Sequence, residues 1–244
     1  MYKSPTKEYW QGSTDPLDGE KGHRWHHVVK MLDLSSESTV ISSSQANEIA
    51  FLGFCCDEGV RRNAGRVGAR NGSAAIRISL ANLAVHFEAQ ELVLHDAGDV
   101  ICQGEHMEAT QEMLGKKVSQ LLERGYRPIV LGGGHEMAYG HFLGIHASAK
   151  SSNQRVGIIN FDAHFDLKNY NDRGDSGTPF LQIAELLQQS EEKLEYLVLG
   201  INEAANTKAQ FQTTAALGVK WITAEAITEQ SLEHVKTKID HLHA

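Results

Sequence analysis

The chain has 244 residues, 41% hydrophobic and 22% charged, an ordinary globular balance with length enough for a sizeable core. A net charge of -8 without a long basic run argues against nucleic acid as a partner. No stretch reaches the ~18 apolar residues of a membrane span, and MYKSPTKEYWQGSTDP at the N-terminus lacks the apolar core of a signal peptide. Cys55, Cys56 and Cys102 are odd in number and fit neither a disulfide framework nor a zinc knuckle. They read as small core or loop residues of a protein in a reducing, cytoplasmic setting.

Residues 1–46 are polar and weakly periodic. They read as an N-terminal arm over a domain surface, with one short helix near His26–Leu34. From Asn47 apolar runs alternate with amphipathic stretches. EIAFLGF (48–54) predicts a buried strand, and a Gly/Arg-rich loop follows at 57–72. SAAIRISLANLA (73–84) predicts a helix with Ser73 as its cap. ELVLHDAGDV (91–100) predicts a strand and then a turn, and 106–125 a helix closed by Gly125. RPIVLGGGH (127–135) is a strand and turn, EMAYGHFLGIHASA (136–149) a helix, and RVGIINFDAH (155–164) a strand. TPFLQIAELLQQ (178–189) is a helix, YLVLGI (196–201) a strand, and NTKAQFQTTAALG (206–218) a helix ended by Gly218. VKWIT (219–223) is a short strand. The last helix, from Thr228, carries Leu232, Val235 and Ile239 on one face. Strands that are apolar throughout, alternating with helices, imply a mainly parallel sheet covered on both faces, a three-layer α/β/α fold over 47–244.

Ligands of such sheets sit beyond the carboxyl ends of the strands. Two strands deliver unusual residues there. After 127–131 come three glycines, which clear side chains from a turn, and then His135. IINFDAHFD (158–166) ends in Asp162, His164 and Asp166 at every second position, which extended chain would point to one side. Two carboxylates and imidazoles aimed at one point would repel unless a divalent cation is held there. A donor set rich in oxygen, with imidazole and no thiolate, suits manganese or another first-row ion more than structural zinc. The other histidines, His141 included, read as packing or surface groups.

Gly132–Glu136, Phe161–Asp166 and Ser176–Phe180, in that order and spacing, resemble the ureohydrolase (arginase/agmatinase) family over roughly 47–244. The resemblance implies an arginase-like fold, a centre of two Mn2+ ions and hydrolysis of a C–N bond at an amidine or guanidine carbon. By position, His135 and Asp166 would bind one ion and His164 the other, with Asp162 bridging or contacting them. Within the family the chain resembles the formimidoylglutamase branch, through 59–77, DAGDV (96–100), GGGHE (132–136) and DSGTPF (175–180). Arginases and agmatinases usually carry histidine where Ser176 stands, which argues against arginine or agmatine as substrate. The implied reaction converts N-formimidoyl-L-glutamate to L-glutamate and formamide.

A substrate with two carboxylates suits bidentate capture by arginine. Arg61, Arg62, Arg66 and Arg70 are candidates. Arg66 with Asn63 is the preferred pair, joined by Arg173 and Ser176; no residue is singled out as proton donor. The family also supplies two further aspartates as Asp-x-Asp, a motif that does not occur after residue 166. The expectation is therefore a domain incomplete at its C-terminus, with an open sheet edge, weakened manganese binding and little hydrolysis. Competing expectations are another agmatinase-like or guanidino-acid hydrolase, and a non-catalytic fragment or interaction subunit. Expected partners are a small-molecule substrate and, by analogy with the family, further copies of the chain, with neither nucleic acid nor membrane.

Overall fold

A computed structural model describes residues 1–35, 47–240 and 242. The chain divides into two compact units, Met1–Ser148 and Ala149–Ala244.

The first unit is built on strands β1 (Tyr2–Lys3), β2 (Lys30–Met31), β3 (Asn47–Cys55), β4 (Leu92–Ile101) and β5 (Arg127–Leu131). The sheet order is β1-β4-β3-β5, with β2 also paired to β4. Only β1 runs antiparallel. Its helices are α1 (Trp25–Val28), α2 (Glu58–Arg62), α3 (Gly72–Ala81), α4 (Met107–Glu123) and α5 (Met137–Ser151), the last running on to the start of the second unit. Successive side chains of β3 point to opposite faces. Ala50, Leu52 and Phe54 pack with Met107, Leu114, Val118 and Leu121 of α4. Phe51 packs in a second core with Ala81 of α3 and Trp10 of the N-terminal arm. Two apolar faces, each covered, make this unit three-layered, as the uninterrupted apolar runs imply.

The second unit carries β6 (Gly157–Phe161), β7 (Glu195–Ile201) and β8 (Lys220–Thr223), all parallel in that order. Its helices are α6 (Pro179–Gln189), α7 (Lys208–Leu217) and α8 (Leu232–Asp240). Leu197 and Leu199 of β7 face Val235 and Ile239 of α8. Tyr196, next to Leu197, faces the other way, stacking on Phe180 of α6 at 4.3 Å. Each outer strand is less covered than its apolar sequence suggests: Ile129 of β5 is 42% exposed and Phe161 of β6 79%. No helix among the described residues is long and apolar enough to cross a membrane.

Four local expectations change. The predicted helix at His26–Leu34 is a single turn, α1, followed by β2, because Val28 and Val29 favour extended backbone and Val29 adopts it (φ -67, ψ 125). Ser73 does not cap α3: the helix begins at Gly72, and the buried Ser73 hydroxyl lies 3.1 Å from Cys55 Sγ. DAGDV is not a turn, because β4 continues through it on a bulge, where pairing with β3 jumps from Phe51↔Asp96 to Gly53↔Asp99. The last helix, predicted from Thr228, begins at Leu232 after a 3-10 turn at Glu229–Ser231 and runs to Asp240.

The bulge has a purpose. In a regular strand residues three apart face opposite ways; one extra residue turns Asp96 and Asp99 to the same side. Arg77 of α3, 1% exposed, lies between them. Its Nε and Nη2 donate to Asp96 at 2.8 and 2.9 Å, Nη1 to Asp99 at 2.7 Å, and Nη2 also to the Gly98 carbonyl at 2.8 Å. Burial opposes the charge, but Asp96 and Asp99 outweigh it and hold the guanidinium above its ordinary pKa. Trp10 Nε1 donates to Asp96 at 2.5 Å, bringing the arm into the same network. Gly53 is required opposite: a Cβ there would fall 1.8 Å from Asp99 Oδ1. Arg77→Ala strands two buried carboxylates and is expected to cost about 3–5 kcal/mol. Urea unfolding followed by tryptophan fluorescence, with Trp10 and Trp25 both in this unit, would refute this if the loss were under about 1 kcal/mol.

Candidate metal and substrate site

In the first unit β5 runs into Gly132, Gly133 and Gly134. Gly132 and Gly133 have φ of +69° and +82°, the left-handed region where a side chain is strained. A Cβ on Gly133 would lie 2.5 Å from the Phe54 carbonyl oxygen. The bare turn is stitched to its surroundings: Gly133 N–H donates to Ala69 O (3.1 Å) and Gly134 N–H to Cys56 O (2.9 Å). His135 follows, half-buried, two residues before α5. Glu136 is wholly buried; its Oε1 accepts from Gly59 N at 3.0 Å, and its carbonyl accepts from Gln111 Nε2 at 2.7 Å. Burial pushes this carboxyl above its usual range. Glu136 thus fixes the loop 57–72 against the turn that carries His135.

Within that loop the arginines separate by role. Arg61 and Arg62 both grip the buried Glu58 (2.7 and 2.9 Å), and they reach Glu105 (3.0 Å) and Glu108 (2.5 Å) before and within α4. The Arg61 hydrogen bond, aided by Arg62, holds Glu58 below the usual carboxylate range. These two arginines fasten the loop. Arg70 donates to the Cys102 carbonyl at 3.3 Å. Asn63, an exposed residue, closes α2 through its N–H on Gly59 O at 3.0 Å. Arg66 is exposed and makes no hydrogen bond or ion pair among the described residues.

In the second unit β6 stops at Phe161, so extended-chain alternation does not carry through to Asp166. Asp162 N–H still donates to Leu199 O of β7 (3.0 Å), which holds the aspartate at the strand end. Its Oδ1 accepts from His164 N at 3.0 Å, an Asx turn that bends the chain. Asp166 sits at φ +48°. The outcome is a hairpin of backbone that brings carboxylate oxygens of Asp162 and Asp166 within 4.8 Å of each other. The His164 imidazole lies 3.4 Å from Asp162 Oδ1 on a half-exposed side chain, and does not form a mutual three-residue group with both aspartates. Two carboxylates this close are costly without a cation, and the oxygen-rich pair fits manganese.

This hairpin rests on groups that pattern reading did not single out. Asn206 Oδ1 accepts from Phe165 N (3.0 Å), and its Nδ2 donates to the carbonyls of Ala163 and Asn202 (both 2.8 Å). The Tyr196 hydroxyl donates to Phe165 O at 3.1 Å, and burial drives its pKa far up. One asparagine side chain imitating backbone leaves no periodic trace in sequence. Downstream, Asp175 orders the turn bearing Ser176: Gly177 N–H (2.8 Å) and Lys168 Nζ (2.8 Å) donate to it. Ser176 is half-buried there and Arg173 exposed. His141 of α5 is a packing group: burial lowers its pKa, and its Nε2 has no partner. All three cysteines are free thiols, Cys56 and Cys102 buried.

The α/β fold with mainly parallel sheets and the clustered aspartates define a family. Residues 47–244 match the Arginase family, and the chain belongs to it. It is 47% identical over 212 residues to a formimidoylglutamase of Chromobacterium violaceum, a match covering 87% of this chain and 64% of that one. It is 40% identical over 240 residues to a formimidoylglutamase of Geobacillus thermodenitrificans, covering 98% and 71%. The chain therefore spans about two thirds of the length of these relatives. Among solved structures, a variant of Trypanosoma cruzi formiminoglutamase with Mn2+ superposes with a TM-score of 0.69 at 28% identity, covering 83% of this chain and 69% of that one. The formimidoylglutamase of Bacillus subtilis, at 22% identity and a TM-score of 0.67, shares the fold.

Two outcomes test the roles assigned to these scaffolding groups. Asn206→Ala leaves the buried Phe165 N–H unpaired, an expected cost of about 1–3 kcal/mol. Hydrogen exchange at the Phe165 amide should accelerate, and an unchanged rate would overturn the assignment. The depressed pKa of His141 means the folded chain binds fewer protons than the unfolded one. Its contribution is complete above about pH 6.5 and is lost as pH falls below that value. In His141→Leu the acid limb of the stability profile should be shallower; parallel limbs would rule this out.

Proposed function

We propose that the chain is the arginase-family part of a manganese-dependent formimidoylglutamase, hydrolysing N-formimidoyl-L-glutamate to L-glutamate and formamide. The observation that supports this most is the identity of 40–47% to formimidoylglutamases over most of the chain, joined to Ser176 where arginases and agmatinases usually carry histidine. His135, Asp162, His164 and Asp166 are the residues assigned to two manganese ions; the convergence of Asp162 with Asp166 is what fits them for it. Bound divalent ions would supply Lewis acidity and a hydroxide nucleophile at neutral pH.

The remaining work falls to the chain's own groups. Arg66, whose guanidinium makes no ion pair among the described residues, and Arg173 are the arginines assigned to the two carboxylates of the substrate. Asn63 and Ser176 add hydrogen bonds that orient it. Water adds to the formimidoyl carbon, the bond from that carbon to the glutamate nitrogen breaks, and that nitrogen leaves with a proton. The glycine turn and Glu136 tie His135 to the loop 57–72.

The test is formamide release from N-formimidoyl-L-glutamate, with metal content measured after dialysis against excess manganese. Asp162→Asn and Asp166→Asn should each weaken manganese retention at least about tenfold. Arg66→Ala should raise KM more than it lowers kcat. Faster release of urea from a guanidino acid than of formamide would reassign the substrate. Manganese retention unchanged in both aspartate variants would remove the metal assignment.

A further inference from the structure

A separate cavity lies in the first unit, at the amino-terminal end of β4, with a volume of about 1080 Å³. Its floor is apolar: Val29, Met31, Phe87, Leu92 and Leu94. Its rim is cationic, with Lys7, Lys21 and Lys30 joined by His23, His27 and His86. Only two acids, Glu20 and Glu88, line it. None of the three lysines makes an ion pair or a side-chain hydrogen bond among the described residues, not even with those acids. In a chain of net charge -8, a hollow lined by three lysines and three histidines against two acids runs against the general balance.

The imidazoles are held in place. His27 Nδ1 accepts from Arg24 N at 3.0 Å, so the proton of its neutral ring sits on Nε2, turned away from that bond. His23 stacks on His27 with ring centroids 5.0 Å apart, and His26 lies 3.9 Å from the same ring. His26 is occupied with the Ala81 carbonyl at 2.8 Å. The three rings form no group of ligand atoms close enough to share a metal ion. A basic rim over an apolar floor calls for an anion with a greasy body, since apolar pockets bury the ligand while few charged groups orient it.

We propose that this cavity binds a small organic anion carrying at least two negative charges on an apolar or aromatic body, at a site distinct from the residues assigned to manganese. Such charge is supplied by a phosphate monoester or by a polycarboxylate, and the rim chemistry is common to both. The probes are adenosine monophosphate for the first and benzene-1,3,5-tricarboxylate for the second, with inorganic phosphate as the bare anion, each titrated calorimetrically into the metal-free chain.

Saturable binding of adenosine monophosphate or benzene-1,3,5-tricarboxylate is expected, tighter than that of inorganic phosphate, and whichever organic probe is tighter identifies the source. The double variant Lys21→Ala/Lys30→Ala should weaken it by at least about tenfold. Lys208→Ala, an equal change of charge outside the cavity lining, should leave it unchanged. Lys21→Gln/Lys30→Gln run alongside, with melting temperatures matched to the parent, separates lost charge from lost fold. No saturable binding of either organic probe, equal binding by the lysine variants, or phosphate binding as tightly as both organic anions would each overturn the proposal.

Discussion

Much of the first unit depends on one buried cation. Arg77 is almost fully removed from water, a state that is unfavourable unless every donor finds an acceptor. Its partners, Asp96, Asp99 and the Gly98 carbonyl, all lie on the bulge of β4. Satisfying Arg77 therefore fixes three things together: the bulge, the packing of α3 against the sheet, and the arm, whose Trp10 donates to the same Asp96. Because α3 begins where the loop 57–72 ends, this knot also sets one end of the loop that carries Arg66. The other end is set by the Glu136–Gly59 bond. The loop is thus held between two buried anchors.

The sequence disclosed the fold well wherever the signal was local. Apolar runs at 48–54, 127–131 and 196–201 became β3, β5 and β7, and the period of 106–125 became α4. Glycine at 132–134 was legible because left-handed backbone and close approach leave few other residues possible. What escaped depended on partners distant in the chain. Nothing near DAGDV shows that its aspartates answer an arginine 19 and 22 residues earlier, so a bulge read as a turn. Ser73 has the composition of a helix cap, but Cys55 claims its hydroxyl.

The candidate site divides in the same way. Asp162 and Asp166 lie four residues apart, and their convergence could be foreseen, although the route differs: an Asx turn and a left-handed residue accomplish it where alternation along a strand was expected. The arginines of the loop could not be sorted by sequence. Arg61 and Arg62 sit beside Arg66 with the same chemistry, and only the positions of Glu58, Glu105 and Glu108 show that the first two are structural. Asn206, whose side chain holds the aspartate hairpin through three hydrogen bonds, is invisible to any pattern.

Two of the edge strands, β5 and β6, differ in one residue type. β5 carries Pro128, which lacks a backbone donor and so interrupts any row of N–H groups it could offer to a stray strand. β6, GIINF, has no proline and no charge, and its Phe161 is 79% exposed. Uncharged, apolar segments of this kind template the stacking of like segments from other molecules. During folding or mild heating, the second unit is thus the part that competes between self-burial and intermolecular adhesion. The strand that ends at the paired aspartates thus also offers an uncharged, proline-free edge.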